Sequence, residues 1–475
     1  MVSRRTWPLN DAVLAFSRRA ECSSNSGLAD AGRQAVARLR QPLQVALVGL
    51  ISTGKSTLLN ALVETAISPT AGGESTRVLY SFSHDRFTMA AVHPRDGSEP
   101  VPVRLNGGRL PSELPFPVAQ IDRVVVTLPA VMLEELTLVD TPGLASTSPE
   151  SSEVTRQLLS ENTLDAAGAA DAIIFCINTP LKDAEAEAVS LFRSGRAGMR
   201  LTSGTAVAVL TKADCLTGDR RTTWKEAVAL SRKLSMDHAD LFAGVAPVIG
   251  LLAETARTGA LRERHAQLLA TLAAEWAPQT IEAVLRHEKL FCDHSGPGDA
   301  AQRMELVQLL GLFGIGALLE NLQGGAPATA TEMTRIALQV SGFDEISNWL
   351  RFQLGSRASA MKARAHLQIL LEKAQAAREP EFYDCAQALL DRPEMFELQV
   401  FRLAGRLAAG RVKPPPGLAE QIWILLSTGL PAVSGREAAQ QASEWREWAM
   451  LADSESQSAA RVMVRAWQLA AQGQA

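Results

Sequence analysis

Four short stretches carry residues able to handle a phosphate ester and a purine base. The first, residues 46–62, reads ALVGLISTGKSTLLNAL. Gly49-x4-Gly54-Lys55-Ser56 stands there between an apolar run and a helical pattern. Glycines let backbone N–H groups turn inward around phosphate oxygens, and the start of the helix adds partial positive charge. Lys55 is placed to reach the terminal phosphates and the Ser56 hydroxyl to ligate Mg²⁺, with Thr57 beside them in the nucleotide-binding set. The second stretch, LTLVDTPGL at 136–144, puts Asp140 at the end of a buried strand and Gly143 just beyond it. A carboxylate there can hold Mg²⁺ through water, and the Gly143 N–H can sense a γ-phosphate. The third, TAVAVLTKADCL at 205–216, is a strand followed by Thr211-Lys212-Ala213-Asp214. The Asp214 carboxylate can accept two hydrogen bonds, from N1–H and the 2-amino group of guanine, while the Lys212 stem packs along the base. Adenine lacks that donor pair and would leave the carboxylate unpaired.

Each motif alone has a bland reading, Asp140 as a turn residue or Asp214 as a helix cap. Their order, each directly after an apolar strand, predicts a GTP site with Mg²⁺. The fourth stretch, ISPTAGGESTRVLYSF at 67–82, reads as a loop offering one threonine to Mg²⁺ and the γ-phosphate. Thr76 is the first choice because a strand-like run follows it. Ser75 and Thr70 are the alternatives, and a solvated surface threonine is the bland reading.

Elements must position these residues. QVALV at 44–48 predicts a strand and STLLNAL at 56–62 a helix with Leu58, Leu59 and Leu62 on one face. Strands and helices alternate from 44 to 253, which predicts an α/β fold with a doubly wound, mostly parallel sheet of the phosphate-loop GTPase kind. Residues 11–41 read as one or two helices, with Leu28, Ala31, Val36 and Leu39 near helical spacing, stopped by Pro42. SGFDEISNWLRFQL is expected to close the sheet with Phe343, Ile346, Leu350 and Leu354. From 357 to 475 the pattern is helical, interrupted at 413–417 and 429–435, with Trp445, Trp448 and Leu451, then Val464, Trp467 and Leu469, as bundle core. The expected division is 1–43 as N-terminal helices joining a stalk, 44–356 as the GTPase domain and 357–475 as a C-terminal helical bundle.

With 475 residues there is room for two or three domains. Hydrophobic residues make up 47% and charged residues 21%, an ordinary globular balance, and the net charge of −4 gives no broad basic surface for nucleic acid. Five scattered cysteines without CxxC spacing read as free thiols of a reducing cytoplasm. Met1 is followed by charged and polar residues, so no signal peptide is expected. The apolar runs 306–319 and 421–435 fall short of the roughly 20 residues needed to cross a bilayer, so any membrane contact is expected to be peripheral. For 306–319 a buried helix packing through Gly311, Gly314 and Gly316 is preferred to membrane insertion. The basic stretch 351–366 reads as a solvated helix face in preference to a contact for acidic lipid heads.

The segments GLISTGKSTLLNAL, SPTAGGESTRV, TLVDTPGL and TKAD resemble those of dynamin-family GTPases. APVIGLLAETAR, LLGLFGIGALLENL, SGFDEISNWLRFQLGSRASAMKARAHLQIL and AARVMVRAWQL resemble the actinobacterial dynamin-like proteins. The resemblance implies a GTPase head on a helical stalk that the N-terminal helices join. It also implies head-to-head association, as a homodimer or with a second dynamin-like protein, and work on membranes from the cytoplasmic face. Gly49, Ser52, Gly54, Lys55, Ser56, Thr76, Asp140, Gly143, Lys212 and Asp214 fall on the family's motif positions, with Lys55, Ser52 and Thr76 as the catalytic set and Ser56, Thr76 and Asp140 as the metal set. Three positions depart from the pattern. Ile51 stands where many dynamins have Gln, Leu144 follows Gly143 where Ras-like enzymes carry a water-orienting Gln, and Val248-Ile249-Gly250 leaves only a backbone N–H near Gly250 for the base. Two competitors follow: an RNA- or ribosome-bound assembly GTPase, for which the C-terminal half shows no RNA-binding pattern, and a GTP-binding scaffold that does not hydrolyse.

Overall fold

The run LQVALVG folds as the central strand because both of its faces are covered: Val45, Ala46, Leu47 and Val48 are fully buried. The computed structural model describes residues 8–50, 52–68, 78–111, 113–141, 170–178, 205–217, 219–238, 241–354, 358–390, 392, 395–396, 399–400, 403, 406–407, 411–428, 433–450 and 452–472. Among them the elements run α1 (Pro8–Glu21), α2 (Ser26–Leu39), β1 (Leu43–Gly49), α3 (Lys55–Val63), β2 (Tyr80–His84), β3 (Met89–Pro94), β4 (Val101–Val103), β5 (Ile121–Leu128), β6 (Leu136–Asp140), β7 (Ala172–Ile177) and β8 (Ala206–Thr211). There follow α4 (Arg220–Asp237), β9 (Val245–Val248), α5 (Gly250–Arg257), α6 (Glu263–Glu275), α7 (Pro278–Val284), α8 (Glu288–Asp293), α9 (Ala300–Gln323), α10 (Ala330–Val340) and α11 (Phe343–Asn348). The chain ends with α12 (Ala358–Ala377), α13 (Pro380–Leu390), α14 (Pro416–Thr428), α15 (Gly435–Ala449) and α16 (Ser454–Gln472).

One nine-stranded sheet has the order β4-β3-β5-β2-β6-β1-β7-β8-β9. The half from β6 to β9 is parallel throughout. On the other side β2 runs antiparallel to β6, and β3 runs antiparallel to both β4 and β5. The sheet is therefore mixed, and the antiparallel extension comes from residues 80–128, where strands follow one another without crossover helices.

Each face of the sheet carries its own core. One is built from Phe175, Leu210, Phe242, Leu252, Leu269 and Leu306, contributed by strands, by the turn before β9 and by the helices from α4 to α10. The other joins α3 to the opposite face and is closed by Phe343, Ile346, Leu350 and Leu354, as the spacing of those residues predicts. The N-terminal helices do not pack on the sheet's faces. Val13, Phe16, Leu28 and Leu39 bury against Leu367, Leu370 and Leu389 of α12 and α13. The last helices form a further core around Trp445, Met463 and Trp467. Gln421 accepts hydrogen bonds from both indoles, Trp445 at 2.7 Å and Trp467 at 3.1 Å, so these two buried polar edges are satisfied. All five cysteines are free.

Two sequence expectations about helices change here. α9 is long and apolar enough to cross a bilayer by length and composition. It packs instead in the head, where a side chain at Gly314 would collide with Leu252 and one at Gly316 with the Arg220 guanidinium. Gly311, read as a third packing glycine, is a break: its φ of 62° and ψ of 171° interrupt the helix. The stretch 351–366 is not a solvated face throughout. Lys362 and His366 are buried, with Lys362 donating to the Gln41 carbonyl. Asp171 explains the burial. Its carboxylate accepts from Arg38 at 3.2 Å and from the Gln44 N–H at 2.8 Å, and its charge favours the Lys362 ammonium against desolvation. Burial first, then the Arg38 and Lys362 charges, push His366 down to about 4, so it stays neutral beside them.

Candidate functional site

The carboxyl ends of β1, β6 and β8 lie together on one edge of the parallel half of the sheet. In an open α/β sheet that edge, where the order reverses beside β1, is the place where a ligand crevice forms. β1 delivers Gly49 into the loop and α3 begins at Lys55 with Gly54 as its cap. Gly49 holds φ at 153°, and a side chain there would run into the carbonyl oxygen of Cys176 on β7. Only glycine lets the loop leave the sheet so close to the neighbouring strand. Ser52 has a positive φ of 63° and is exposed on the loop. Strained non-glycine backbone of this kind survives where surrounding structure over-determines it. Thr53 donates to the Leu50 carbonyl at 2.8 Å and closes the turn.

Lys55 is buried, and its ammonium donates to the carbonyls of Gly49 at 2.9 Å and Leu50 at 2.8 Å, which hold it across the loop. Burial lowers its pKa, and the charge of Asp140 works against that drop. Asp140 sits at the end of β6 and is itself buried. Desolvation pushes it up to about 6, against the Lys55 charge and a hydrogen bond donated by the Ser56 hydroxyl. Its Oδ1 finds no hydrogen-bond partner among the described residues. Thr141 fixes the strand end by donating from its hydroxyl to Leu47 at 2.8 Å. A hydroxyl on a carboxylate with one buried oxygen left over is a hard-oxygen set that fits Mg²⁺, an ion that takes few protein ligands and completes its shell with water and phosphate. Ser56 and Asp140 are the residues that would hold it. Thr76, Ser75 and Thr70, the third-ligand candidates, lie outside the described residues, as do Gly143, Leu144 and Ile51.

The stretch expected to contact a base follows β8. Lys212, at the end of β8, is exposed with φ 52°, the second strained non-glycine of the site, and Asp214 lies on the turn that follows. Desolvation raises the Asp214 pKa, against hydrogen bonds from its own backbone and from Cys215. Thr211, expected to touch the ligand, has its hydroxyl between the Thr53 carbonyl at 2.6 Å and the Ile177 carbonyl at 2.8 Å. It ties the phosphate loop to β8, so the two halves of the site are registered to each other by one side chain. Gly250 opens α5, and a side chain there would stand 3.4 Å from the Thr57 methyl group. Thr57 therefore packs α3 against the start of α5.

Other contributors gave no motif signal. The break in α9 faces Asp214: a Cβ built on Gly311 would lie 3.6 Å from Asp214 Oδ2 and 3.8 Å from Leu251. Thr255 of α5 donates to the Leu309 carbonyl at 2.5 Å, so a hydroxyl from α5 takes up a carbonyl just ahead of the break. Asn60, fully buried on α3, donates to Glu254 at 2.7 Å and to the Ser68 carbonyl at 3.2 Å, and accepts from the Ser68 N–H at 2.9 Å. It anchors the chain where residues 69–77 begin. A buried polar residue inside the helical pattern at position 60 was the one available hint.

The sequence matches the pattern of the dynamin family over residues 45–167. It is 30% identical over 337 residues to the isoniazid-induced protein IniC of Mycobacterium tuberculosis, in strains CDC 1551 / Oshkosh and ATCC 25618 / H37Rv alike. That match takes in 70% of this chain and 66% of those relatives. A solved structure of an oligomerised bacterial dynamin pair aligns with 98% of this chain and 74% of its own, at 15% identity and a TM-score of 0.35. The bacterial dynamin GTPase LeoA aligns with 93% of this chain and 66% of its own, at 14% identity and a TM-score of 0.27. Superpositions that loose carry no weight for function.

Proposed function

The chain belongs to the dynamin family of GTPases, and on that premise we propose that it binds GTP with Mg²⁺, hydrolyses it slowly when alone, and couples hydrolysis to association of its heads at a membrane surface. The observation that carries the nucleotide part is the convergence of Lys55, Ser56 and Asp140 at the ends of β1 and β6, with Lys212 and Asp214 beside them at the end of β8. The reaction is attack of water on the γ-phosphorus with release of phosphate. Backbone N–H groups of the loop and the Lys55 ammonium would stabilise charge on the transferring phosphoryl group. Mg²⁺, when bound, supplies further positive charge to the phosphate oxygens. Asp214 would select guanine through N1–H and the 2-amino group, and Gly250 would offer only its backbone N–H to the base.

Slow turnover follows from two side chains. Neither Ile51 nor Leu144 can hydrogen-bond a water, so orientation of the nucleophile would fall to backbone groups, the Ser52 hydroxyl and Thr76. A group supplied in trans can add about 10³- to 10⁵-fold in rate where a charge or water-positioning residue is missing. In this reading a second head, from the same chain or another dynamin-like protein, supplies it across the nucleotide face. The protein would work on the inner face of the cell membrane, peripherally and without nucleic acid. The division into 1–43, 44–356 and 357–475 accords with this scheme, with α1 and α2 joining α12 and α13 as the moving part.

Phosphate release per molecule, followed over a wide protein concentration range with and without anionic vesicles, tests the reading. Turnover should rise with concentration. A fast rate independent of concentration would overturn assembly-assisted hydrolysis. Because Ile51 and Leu144 favour it, one second reading stands beside this one: full GTP binding with zero turnover under every condition would establish a scaffold.

A further inference from the structure

Tyr80 opens β2 and lies directly opposite Asp140 in the antiparallel β2–β6 pair. Residues so paired share a face, with Cβ atoms about 4.5–5.5 Å apart. Tyr80 is 3% exposed, its ring stacked near Phe82 at 6.4 Å between centroids. Its hydroxyl has no hydrogen-bond partner among the described residues, and neither has Oδ1 of Asp140. A buried donor and a buried acceptor thus stand on one face without bonding each other. Burial, and then the Asp140 charge, hold the phenol far above its ordinary pKa, so the hydroxyl is a donor at any physiological pH. If packing alone were needed here, phenylalanine would serve, as it does two residues along at the fully buried Phe82. An unsatisfied hydroxyl kept in the core is a cost that a core filler does not explain.

We propose that Tyr80 is a positioning residue of the magnesium site: its hydroxyl donates to a water shared with Oδ1 of Asp140 and so fixes the carboxylate for the metal. Groups that orient a metal's ligands act at one remove, and their loss weakens metal binding while leaving the ligands themselves intact. The inference rests on the reading of Ser56 and Asp140 as metal-holding residues.

Tyr80→Phe removes one oxygen and nothing else. The full chain is loaded with a fluorescent GDP analogue, and its affinity is titrated against Mg²⁺ and again in EDTA. Thermal melting in EDTA without nucleotide is recorded alongside. The expected result is a Mg²⁺ midpoint raised about 10-fold or more, unchanged nucleotide affinity in EDTA, and a melting temperature at or above that of wild type. An unchanged Mg²⁺ midpoint would overturn the proposal. So would a lowered melting temperature together with weaker binding in EDTA, which is the pattern of a purely structural tyrosine. Wild-type protein that bound the analogue equally well with and without Mg²⁺ would instead remove the metal reading beneath it.

Discussion

Replacing Asp140 by Asn should make the empty protein more stable while abolishing its response to Mg²⁺. The buried carboxyl is pushed from 3.8 to about 6, which corresponds to about 3 kcal/mol of instability once it is ionised in both states. One loss reduces the gain. The shift to about 6 already includes the Lys55 attraction, but the new amide nitrogen takes the place of an oxygen that already lacked a partner. A net stabilisation of about 1–2 kcal/mol remains. Its pH dependence follows from the direction of the shift. Below the unfolded pKa the carboxyl is neutral in both states and costs nothing. The penalty grows as pH rises and is complete above the folded pKa. Denaturant unfolding in EDTA, without nucleotide, should therefore show a gap between variant and wild type that widens by about 1.4 kcal/mol between pH 5 and pH 7.5. Adding Mg²⁺ to the GDP-bound proteins should stabilise wild type further and leave the variant unchanged. An Asp140→Asn protein less stable than wild type at pH 7.5 in EDTA would mean that the buried carboxylate stabilises the fold, contrary to the cost of its burial.

Asp214→Asn should lose two charge-assisted hydrogen bonds to guanine, weakening GDP binding by about 3–6 kcal/mol. Xanthine nucleotides should gain relative to guanine in calorimetric titrations, because the amide can donate to the 2-oxo group. Gly49→Ala should destabilise by about 2–4 kcal/mol in denaturant unfolding, since the added methyl meets the Cys176 carbonyl at a backbone angle that L-residues avoid. A Gly49→Ala protein as stable as wild type would mean that the loop has other room.

The phosphate loop was legible because its chemistry is local: Gly49 to Ser56 lie within one turn, between an apolar strand and an apolar helix face. Asp140 and Asp214 were legible for the same reason, one ending a mainly apolar strand and the other three residues past the end of one. What lay hidden depends on partners far away in sequence. The Gly311 break looks like ordinary helix because Leu and Phe keep their helical spacing through it, and only the fold brings it to Asp214. Lys362 and His366 read as a solvent face until Asp171, almost two hundred residues earlier, is placed beside Lys362. The antiparallel extension β3–β5 alternates weakly and contains Pro94 and Pro102, so its strands gave little signal. Tyr80 passed as one aromatic in a strand. Its meaning lies in a register, and register is set by pairing across the sheet.

In the proposed function, Lys212 and Asp214 make the Lys55 loop a guanine-nucleotide site. Equilibrium binding of GTP and of ATP to the wild-type protein, under equal Mg²⁺, tests it most directly, with Lys55→Ala as the control. Saturable GTP binding is expected, with ATP binding weaker by on the order of 10²-fold or more and GTP binding lost in the folded Lys55→Ala protein. Comparable affinity for ATP and GTP, or GTP binding unchanged by Lys55→Ala, would contradict it.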